Sequence, residues 1–377
     1  MQNKLIIGIT APVSVNLIRG QARFFADHGF RTYLLAPEHP LTVEFCKQEQ
    51  CTLLPVDIRR DISLLSDLKA LVSILLHYIR VKPDVVNVGT PKMGLLGMMA
   101  AWLMMVRKRI YTCRGFRYEH ETGSKQKILK FMERLSGICA HEIVCISPSV
   151  RDLGVKDRIF KHKKCRVIQK GSSNGINRAR FNPDTVLPEK KKNIVDQLEI
   201  RNTFVYGYVG RLIDRKGIAE LYEAFSAMYS ADDKVRLLMV GPLEFDQISD
   251  GSLVERITTH PGIIMPGRTD DVPAYLSVMD VFVLPAWWEG FGNVLVEAAS
   301  MGVPVISTRG TGTRDAVSDG FNGILVDVGN VEQLVEAMQE LKSNDKKRKQ
   351  MGENGKIWAR NFDNETIWNG LLELYRP

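Results

Sequence analysis

Residues 281–308 read VFVLPAWWEGFGNVLVEAASMGVPVIST. Val281–Leu284 is a short apolar, β-rich run. A loop carrying Glu289, Gly290 and Gly292 follows. A helix is expected from about Asn293, with that side chain capping free backbone N–H groups, to a stop at Gly302. Val303–Ser307 is a second apolar run. Strand, loop, helix and strand in so short a stretch is the unit of a parallel sheet covered on both faces.

The same alternation extends outward in both directions. In the second half, strands are expected at Phe204–Val209, Val235–Val240, Ile263–Met265 and Ile324–Val326, with helices between them. In the first half they are expected at Leu5–Ile9, Phe30–Leu35, Thr52–Val56, Val85–Val88, Arg109–Thr112, Glu142–Ile146 and Arg166–Gln169, with a helix over Ile18–His28. The pattern lapses over 181–191, FNPDTVLPEKK, whose prolines and charges read as a linker. The expected organisation is a first domain over 1–180, a linker over 181–191, a second domain over 192–355 and a C-terminal helix over 356–377. Two doubly wound α/β domains of this kind place their ligand in a cleft at the C-terminal ends of the strands.

The chain has 377 residues, 45% hydrophobic and 25% charged, which excludes disordered and low-complexity classes. Its net charge of +8 is unevenly distributed. Residues 1–190 carry 31 basic and 16 acidic side chains, and the remainder carry 20 and 27. The basic half points to an anionic partner. No nucleic-acid-binding module accompanies that charge, so nucleic acid is not expected. The six cysteines show no zinc or disulfide spacing. The opening MQNKLIIGIT lacks the features of a signal peptide, so a cytoplasmic location is expected.

Two apolar stretches in the basic half bear on membranes. Met93–Val106 is followed at once by Arg107, Lys108 and Arg109, and Leu64–Ile79 is followed by Arg80 and Lys82. Both are short for a spanning helix. Met93–Val106 reads either as a buried helix between strands or as one lying on the inner leaflet, with Lys92 among the headgroups.

The second motif is Gly210–Gly217, GRLIDRKG, directly after the strand Phe204–Val209. Arg211 and Lys216 can place a forked and a point-like positive charge over a diphosphate. Neither a GxxxxGK[ST] loop nor a GxGxxG after the opening strand is present, so ATP hydrolysis and standard dinucleotide binding lose ground. No Asp-x-Asp pair occurs, so no metal ligands are assigned and no metal or organic cofactor is required.

With these two motifs in place, the chain resembles a retaining glycosyltransferase of GT-B architecture, family 4, in which two Rossmann-like doubly wound domains face each other across a cleft. The resemblance covers nearly the whole chain and is strongest from Val205 to Asp327. It implies that Arg211 and Lys216 hold the donor diphosphate and steady the leaving group, and that Glu297 accepts hydrogen bonds from the donor ribose. Glu289 would hold the hydroxyls of the transferred sugar, helped by backbone around Phe291, Gly292, Asn293 and Val294. Gly20 would lie near the donor phosphate and acceptor. The final helix would cross back onto the first domain, with Trp368, Leu371, Leu372 and Leu374 packing there.

The family often has a His after the strand matching Arg109–Thr112, and here Arg114 occupies that place. An arginine cannot serve as a general base at neutral pH. It can stabilise a leaving phosphate or bind an acceptor diphosphate, or it can simply pair with Glu119. His120 is a less favoured contact.

The resemblance further implies a nucleotide-sugar donor, UDP-linked by preference and GDP-linked as the alternative, carrying a hexose or HexNAc. The acceptor would be an undecaprenyl-diphosphate-linked saccharide in capsule, O-antigen or protein-glycan assembly, met at the anionic inner face of the cell membrane. Two other readings predict different behaviour. A UDP-sugar 2-epimerase of GT-B fold would form an epimer without acceptor. A non-catalytic anionic-lipid-binding protein would bind membranes without nucleotide-sugar turnover.

Overall fold

A computed structural model describes residues 2–58 and 63–376. These fall into two units. One comprises residues up to Gly175 together with those from Glu365 onward, and the other is Ile176–Asn364.

The first unit is built on seven parallel strands: β1 (Asn3–Gly8), β2 (Phe30–Ala36), β3 (Thr52–Pro55), β4 (Val85–Gly89), β5 (Lys108–Cys113), β6 (Glu142–Cys145) and β7 (Cys165–Arg166). Their order is β3-β2-β1-β4-β5-β6-β7. Neighbours pair in parallel, for example Leu5 with Thr32 and with Val85. The chain therefore winds outward in both directions from β1 and β4. Successive side chains of β1 serve opposite faces: Leu5 and Ile7 enter one apolar cluster and Ile6 the other. Such continuous apolar strands follow from burial on both faces. Each fully buried Ile or Leu contributes roughly 1.5–3 kcal/mol.

The second unit has six parallel strands: β8 (Phe204–Val209), β9 (Val235–Val240), β10 (Ile263–Gly267), β11 (Val281–Leu284), β12 (Val305–Thr308) and β13 (Gly323–Val326). Their order is β10-β9-β8-β11-β12-β13. Here the winding reverses between β8 and β11.

Several expectations need correction. Residues 181–191 are not a linker, because they lie inside the second unit. Phe181 is buried and its carbonyl accepts from Ser300 Oγ at 2.6 Å. Pro188 opens a helix, Pro188–Gln197, taking the first position where a missing N–H costs nothing. The expected helix Ile18–His28 is shorter, Gln21–Asp27, because Gly20 takes a left-handed conformation at its start, and a 3₁₀ turn, Pro12–Leu17, precedes it. The expected strand Arg166–Gln169 shrinks to β7.

The C-terminal residues join the first unit as the helix Asn364–Tyr375. Ile367, Leu371, Leu372 and Tyr375 enter the apolar cluster around Leu5 and Ile7. The Tyr375 hydroxyl accepts from Asn87 Nδ2 on β4 at 2.5 Å.

The apolar stretch after β4 forms the helix Pro91–Leu103, buried through Met93, Leu96, Met98 and Ala101. Lys92 is 5% exposed and pairs with Asp67 at 2.7 Å, so it does not reach for headgroups. Only the C-terminal end of the stretch is open, with Trp102, Leu103 and Met105 exposed. The helix Leu64–Val81 behaves differently. Ala70, Ile74, Tyr78 and Val81 face inward. Leu64, Leu65, Leu68, Val72, Leu76 and Ile79 form an exposed apolar stripe at helical spacing. No helix among the described residues is long and apolar enough to cross a membrane.

One buried carboxyl sets a pH dependence. Glu133 accepts from the Tyr111 hydroxyl at 2.6 Å inside the first unit. Burial pushes its carboxyl up to about 7, against an ordinary value of 4.5. A raised carboxyl pKa means the folded state holds a proton that the unfolded state has released. Stability is therefore fully present below the ordinary value and falls as pH rises towards about 7. Glu133→Gln keeps an acceptor for Tyr111 and removes that loss, which is about 3 kcal/mol in all. The variant is expected to melt a few degrees above wild type at pH 8 and close to it at pH 5, read by calorimetry at both pH values.

Candidate functional site

The two strands at the reversal of the second sheet, β8 and β11, each end in one of the two sequence motifs. This is the position where an open α/β sheet leaves a crevice between diverging loops. After β8, the chain passes through Gly210 and Arg211 into a 3₁₀ turn, Asp214–Lys216, and then the helix Ile218–Ala231. After β11, it runs through Pro285–Gly292 into the helix Asn293–Ser300. The loops are tied together, since Trp287 N donates to the Arg215 carbonyl at 2.9 Å. Trp287 Nε1 also donates to Glu220 at 2.8 Å.

This arrangement brings Lys216 and Glu289 into a direct ion pair, with Arg215 Nη1 3.6 Å from the same carboxylate oxygen. Both partners are nearly enclosed, at 12% and 14% exposure. Burial pushes the Glu289 carboxyl up, but the Lys216 and Arg215 charges outweigh it and hold the carboxyl below its usual range. Glu289 is thus an acceptor only, suited to hydroxyl donors. Glu297, about one turn into the helix Asn293–Ser300, is the opposite case. Burial pushes its carboxyl up to about 7, with only a weaker opposing pull from Arg180. Near neutral pH it can therefore both accept and donate.

Not every expected residue sits as foreseen. Arg211 turns towards Glu244, with Nη1 3.1 Å from the carboxylate, and stands in the open at 44% exposure. Asn293 is not the helix cap: Gly292 holds that position, and Asn293 is the first helical residue. Phe291 is buried against Phe362 at 5.1 Å between ring centroids, so only its backbone can face a ligand. Val294 follows in the first turn of the same helix. Arg215, Arg180 and Glu244 were missed. Arg215 lies within the GRLIDRKG motif, but sequence alone does not show that a 3₁₀ turn aims residues 215 and 216 at the same carboxylate.

In the first unit the equivalent reversal lies between β1 and β4. The loops after those strands border a cavity of ≈ 500 Å³, lined by Thr10, Ser14, Thr90, Arg117, Lys125 and Leu129 among others. Lys125 pairs with Glu121 at 2.6 Å, and the Thr10 and Thr90 hydroxyls bond each other at 2.6 Å.

Arg114, just past β5, contacts the Ser173 hydroxyl, and its Nε has no partner. No ion pair of Arg114 is found among the described residues, so the alternative pairing with Glu119 does not form. Burial lowers its pKa to about 10, which leaves it charged at neutral pH. Gly20 donates its N–H to Glu49 at 2.6 Å and has a φ of 86°. A Cβ there would stand 2.4 Å from the Trp368 ring. In this structure, therefore, Gly20 makes room for the C-terminal helix.

Residues 15–176 match the family described as Glycosyltransferase Family 4, and residues 189–358 match Glycosyl transferases group 1. The chain is also 34% identical, over 377 residues, to the capsular polysaccharide biosynthesis glycosyltransferase CapM of Staphylococcus aureus, covering 100% of this chain and 97% of that protein. It belongs to glycosyltransferase family 4.

A second relative, the UDP-Gal:alpha-D-GlcNAc-diphosphoundecaprenol alpha-1,3-galactosyltransferase of Escherichia coli, is 29% identical over 290 residues, 74% of this chain and 71% of that one. Among solved structures, Anabaena Alr3699/HepE in complex with UDP and glucose superposes with a TM-score of 0.82 at 20% identity, covering 98% of each chain. The fold of this glycosyltransferase is accordingly GT-B, two Rossmann-like α/β domains with parallel sheets.

Proposed function

We propose that this family 4 enzyme moves a hexose or HexNAc from a UDP-linked donor to an undecaprenyl-diphosphate-linked saccharide, with retention of configuration, in bacterial surface-glycan assembly. The observation that carries the reading is the Lys216–Arg215–Glu289 cluster at the reversal between β8 and β11. A nucleoside diphosphate leaving group gains negative charge as the glycosidic bond stretches. Cations fixed in a nearly enclosed site stabilise that charge without having to reorganise. Lys216 and Arg215 supply the cations, and Arg211 adds a third in the same loop. Glu289, kept ionised by them, accepts hydrogen bonds from sugar hydroxyls, and Glu297 does the same for the ribose. Retention follows from attack on the face that the leaving phosphate departs from, with a phosphate oxygen taking the acceptor proton. Glu289 therefore holds the sugar and is not a nucleophile.

The acceptor reading draws on the name of the Escherichia coli relative, which specifies a diphosphoundecaprenol substrate. The cavity between the β1 and β4 loops suits such a molecule, with Arg117 and Lys125 for phosphate and Leu129 and Met132 for hydrocarbon. Arg114, a buried cation without a carboxylate partner, is the nearest match in that unit for a further phosphate oxygen. A lipid-bound acceptor would place the enzyme at the inner face of the membrane, and the exposed stripe Leu64–Ile79 is the apolar surface suited to it. The test is a panel of UDP- and GDP-sugars against short-chain lipid-diphosphate saccharides, with product linkage read by NMR. A single UDP-sugar giving acceptor-dependent UDP release and an α-linked product from an α-donor is the expected result. Epimer formation without acceptor, or an inverted linkage, would overturn the proposal.

A further inference from the structure

A second cavity of the first unit, ≈ 460 Å³, lies between the C-terminal end of the helix Gly123–Cys139 and the segment Val155–Lys164. Four cations line it, Arg134, Arg158, Lys161 and Lys164, and no carboxylate does. The acidic side chains closest in sequence are already engaged: Glu133 by the Tyr111 hydroxyl at 2.6 Å, Asp157 by Lys130 at 2.8 Å, and Glu142 by Arg166 at 3.3 Å. None of the four lining cations has an ion pair among the described residues. Lys164 closes the helix by donating to the carbonyls of Gly137, Ile138 and Ala140. Arg134 uses its Nε on the Arg158 carbonyl at 3.2 Å, which leaves its two amino groups for a ligand.

Unlike charges would normally be interspersed on such a surface, and like charges converging on one hollow repel each other. Burial first, then the Lys161 and Arg109 charges, lower the pKa of Lys164. The backbone adds a second sign. The helix Pro148–Lys156 ends in a left-handed residue, with Ile159 N reaching back to the Gly154 carbonyl at 2.9 Å. Glycine or asparagine usually takes that place. Here it is Arg158, at a φ of 56°, and its position lines the cavity.

The floor is apolar, formed by Val155, Ile159 and Phe160, with Ile138 at the rim. Outside it, Phe131 and Ile138 are 64% and 60% exposed, and Ile128 is 49% exposed. With Leu135 between them, these residues follow one line along the helix at i, i+3, i+7 and i+10. An exposed hydrocarbon rail thus leads into a cationic hollow. We infer that this cavity binds the phosphate headgroup of an anionic phospholipid, with its acyl chain lying along Ile128, Phe131 and Ile138. The inference deepens the membrane part of the function proposed above and rests on it.

The test uses the full chain and two measurements. The first is calorimetric titration with dihexanoyl phosphatidylglycerol, dihexanoyl phosphatidylcholine and inorganic phosphate, all below micelle formation. The second is flotation with vesicles of phosphatidylcholine containing phosphatidylglycerol. Both compare wild type with Arg158→Glu/Lys161→Glu, after checking that the variant keeps its melting temperature and its transfer to a soluble acceptor. Wild type is expected to bind the phosphatidylglycerol and not the phosphatidylcholine, and the double variant to bind it roughly tenfold more weakly or worse. Equal binding by the variant overturns the site. Inorganic phosphate binding as tightly as the lipid overturns the lipid assignment, leaving a site for anions alone. Wild type failing to float with anionic vesicles removes the membrane reading itself. Flotation unchanged in the variant removes only this cavity.

Discussion

Lys216→Ala is expected to lower kcat for sugar transfer by about 10²–10³-fold, the usual cost of deleting one fixed donor to a developing anion. The loss has two physical parts, and they are separable. Removing Lys216 withdraws a cation from the leaving diphosphate. It also strands Glu289, which is 14% exposed, with only Arg215 at 3.6 Å to balance it. An uncompensated buried charge destabilises a protein by about 3–5 kcal/mol, so the single variant should melt well below wild type. Lys216→Ala/Glu289→Gln removes the stranded charge and should recover most of the stability. With Glu289→Gln alone as the reference, a Lys216 that acts on the substrate makes the double variant slower than Glu289→Gln although both melt normally. Recovery of turnover together with stability would mean that Lys216 serves only to neutralise Glu289. Near-wild-type transfer by Lys216→Ala would remove the assignment altogether. Lys216→Arg keeps the charge but changes its reach, and an intermediate rate is expected.

The sequence exposes the sheet strands clearly because burial on both faces writes them as short apolar runs bounded by turn residues. β8, β9 and β11 are found to the residue for that reason. The boundary between units escapes the sequence for an equally physical reason. Prolines and charges mark helix starts as well as linkers, and Pro188 begins a helix whose outer face carries Lys190, Lys191 and Lys192. Of the site, the meeting of the two motifs at one donor followed from the family resemblance, while the strand order that makes β8 and β11 neighbours is seen only in the structure. Side-chain direction within the loops after them did not follow either. Arg211 and Arg215 differ by one turn of tight backbone, and only the turn decides which of them meets Glu289. The apolar stretches show the same limit from the other side. Met93–Val106 and Leu64–Ile79 look alike in composition, yet the first is enclosed except at its C-terminal end and the second exposes a stripe along its length. Hydropathy does not separate them, because Leu64–Val81 carries apolar residues on its exposed stripe as well as on its inner line of Ala70, Ile74, Tyr78 and Val81.

Gly217→Ala is expected to disturb stability and catalysis together, because that residue is where the two motif loops touch. Gly217 has a φ of 71°, and a Cβ built on it would lie 2.0 Å from the Pro285 carbonyl oxygen. Two costs add. The left-handed conformation costs an L-residue about 1–2 kcal/mol. The overlap is with backbone, so one loop must move away from the other. The control is Gly329→Ala, at a φ of 75° with nothing within 4 Å of its added Cβ. It bears the conformational cost alone. Gly329→Ala should therefore lower the melting temperature by a few degrees and leave turnover intact. Gly217→Ala should lower it by roughly two to three times as much. Separating the loops also pulls Pro285–Glu289 away from Lys216, and displacement of about 1 Å at a reacting centre costs around 100-fold in rate. Melting curves and kcat for the two variants, measured side by side, give the comparison. If Gly217→Ala matches Gly329→Ala in both, the contact between the loops does not hold the cluster together, and the rigid pairing of Lys216 with Glu289 is not what organises the site.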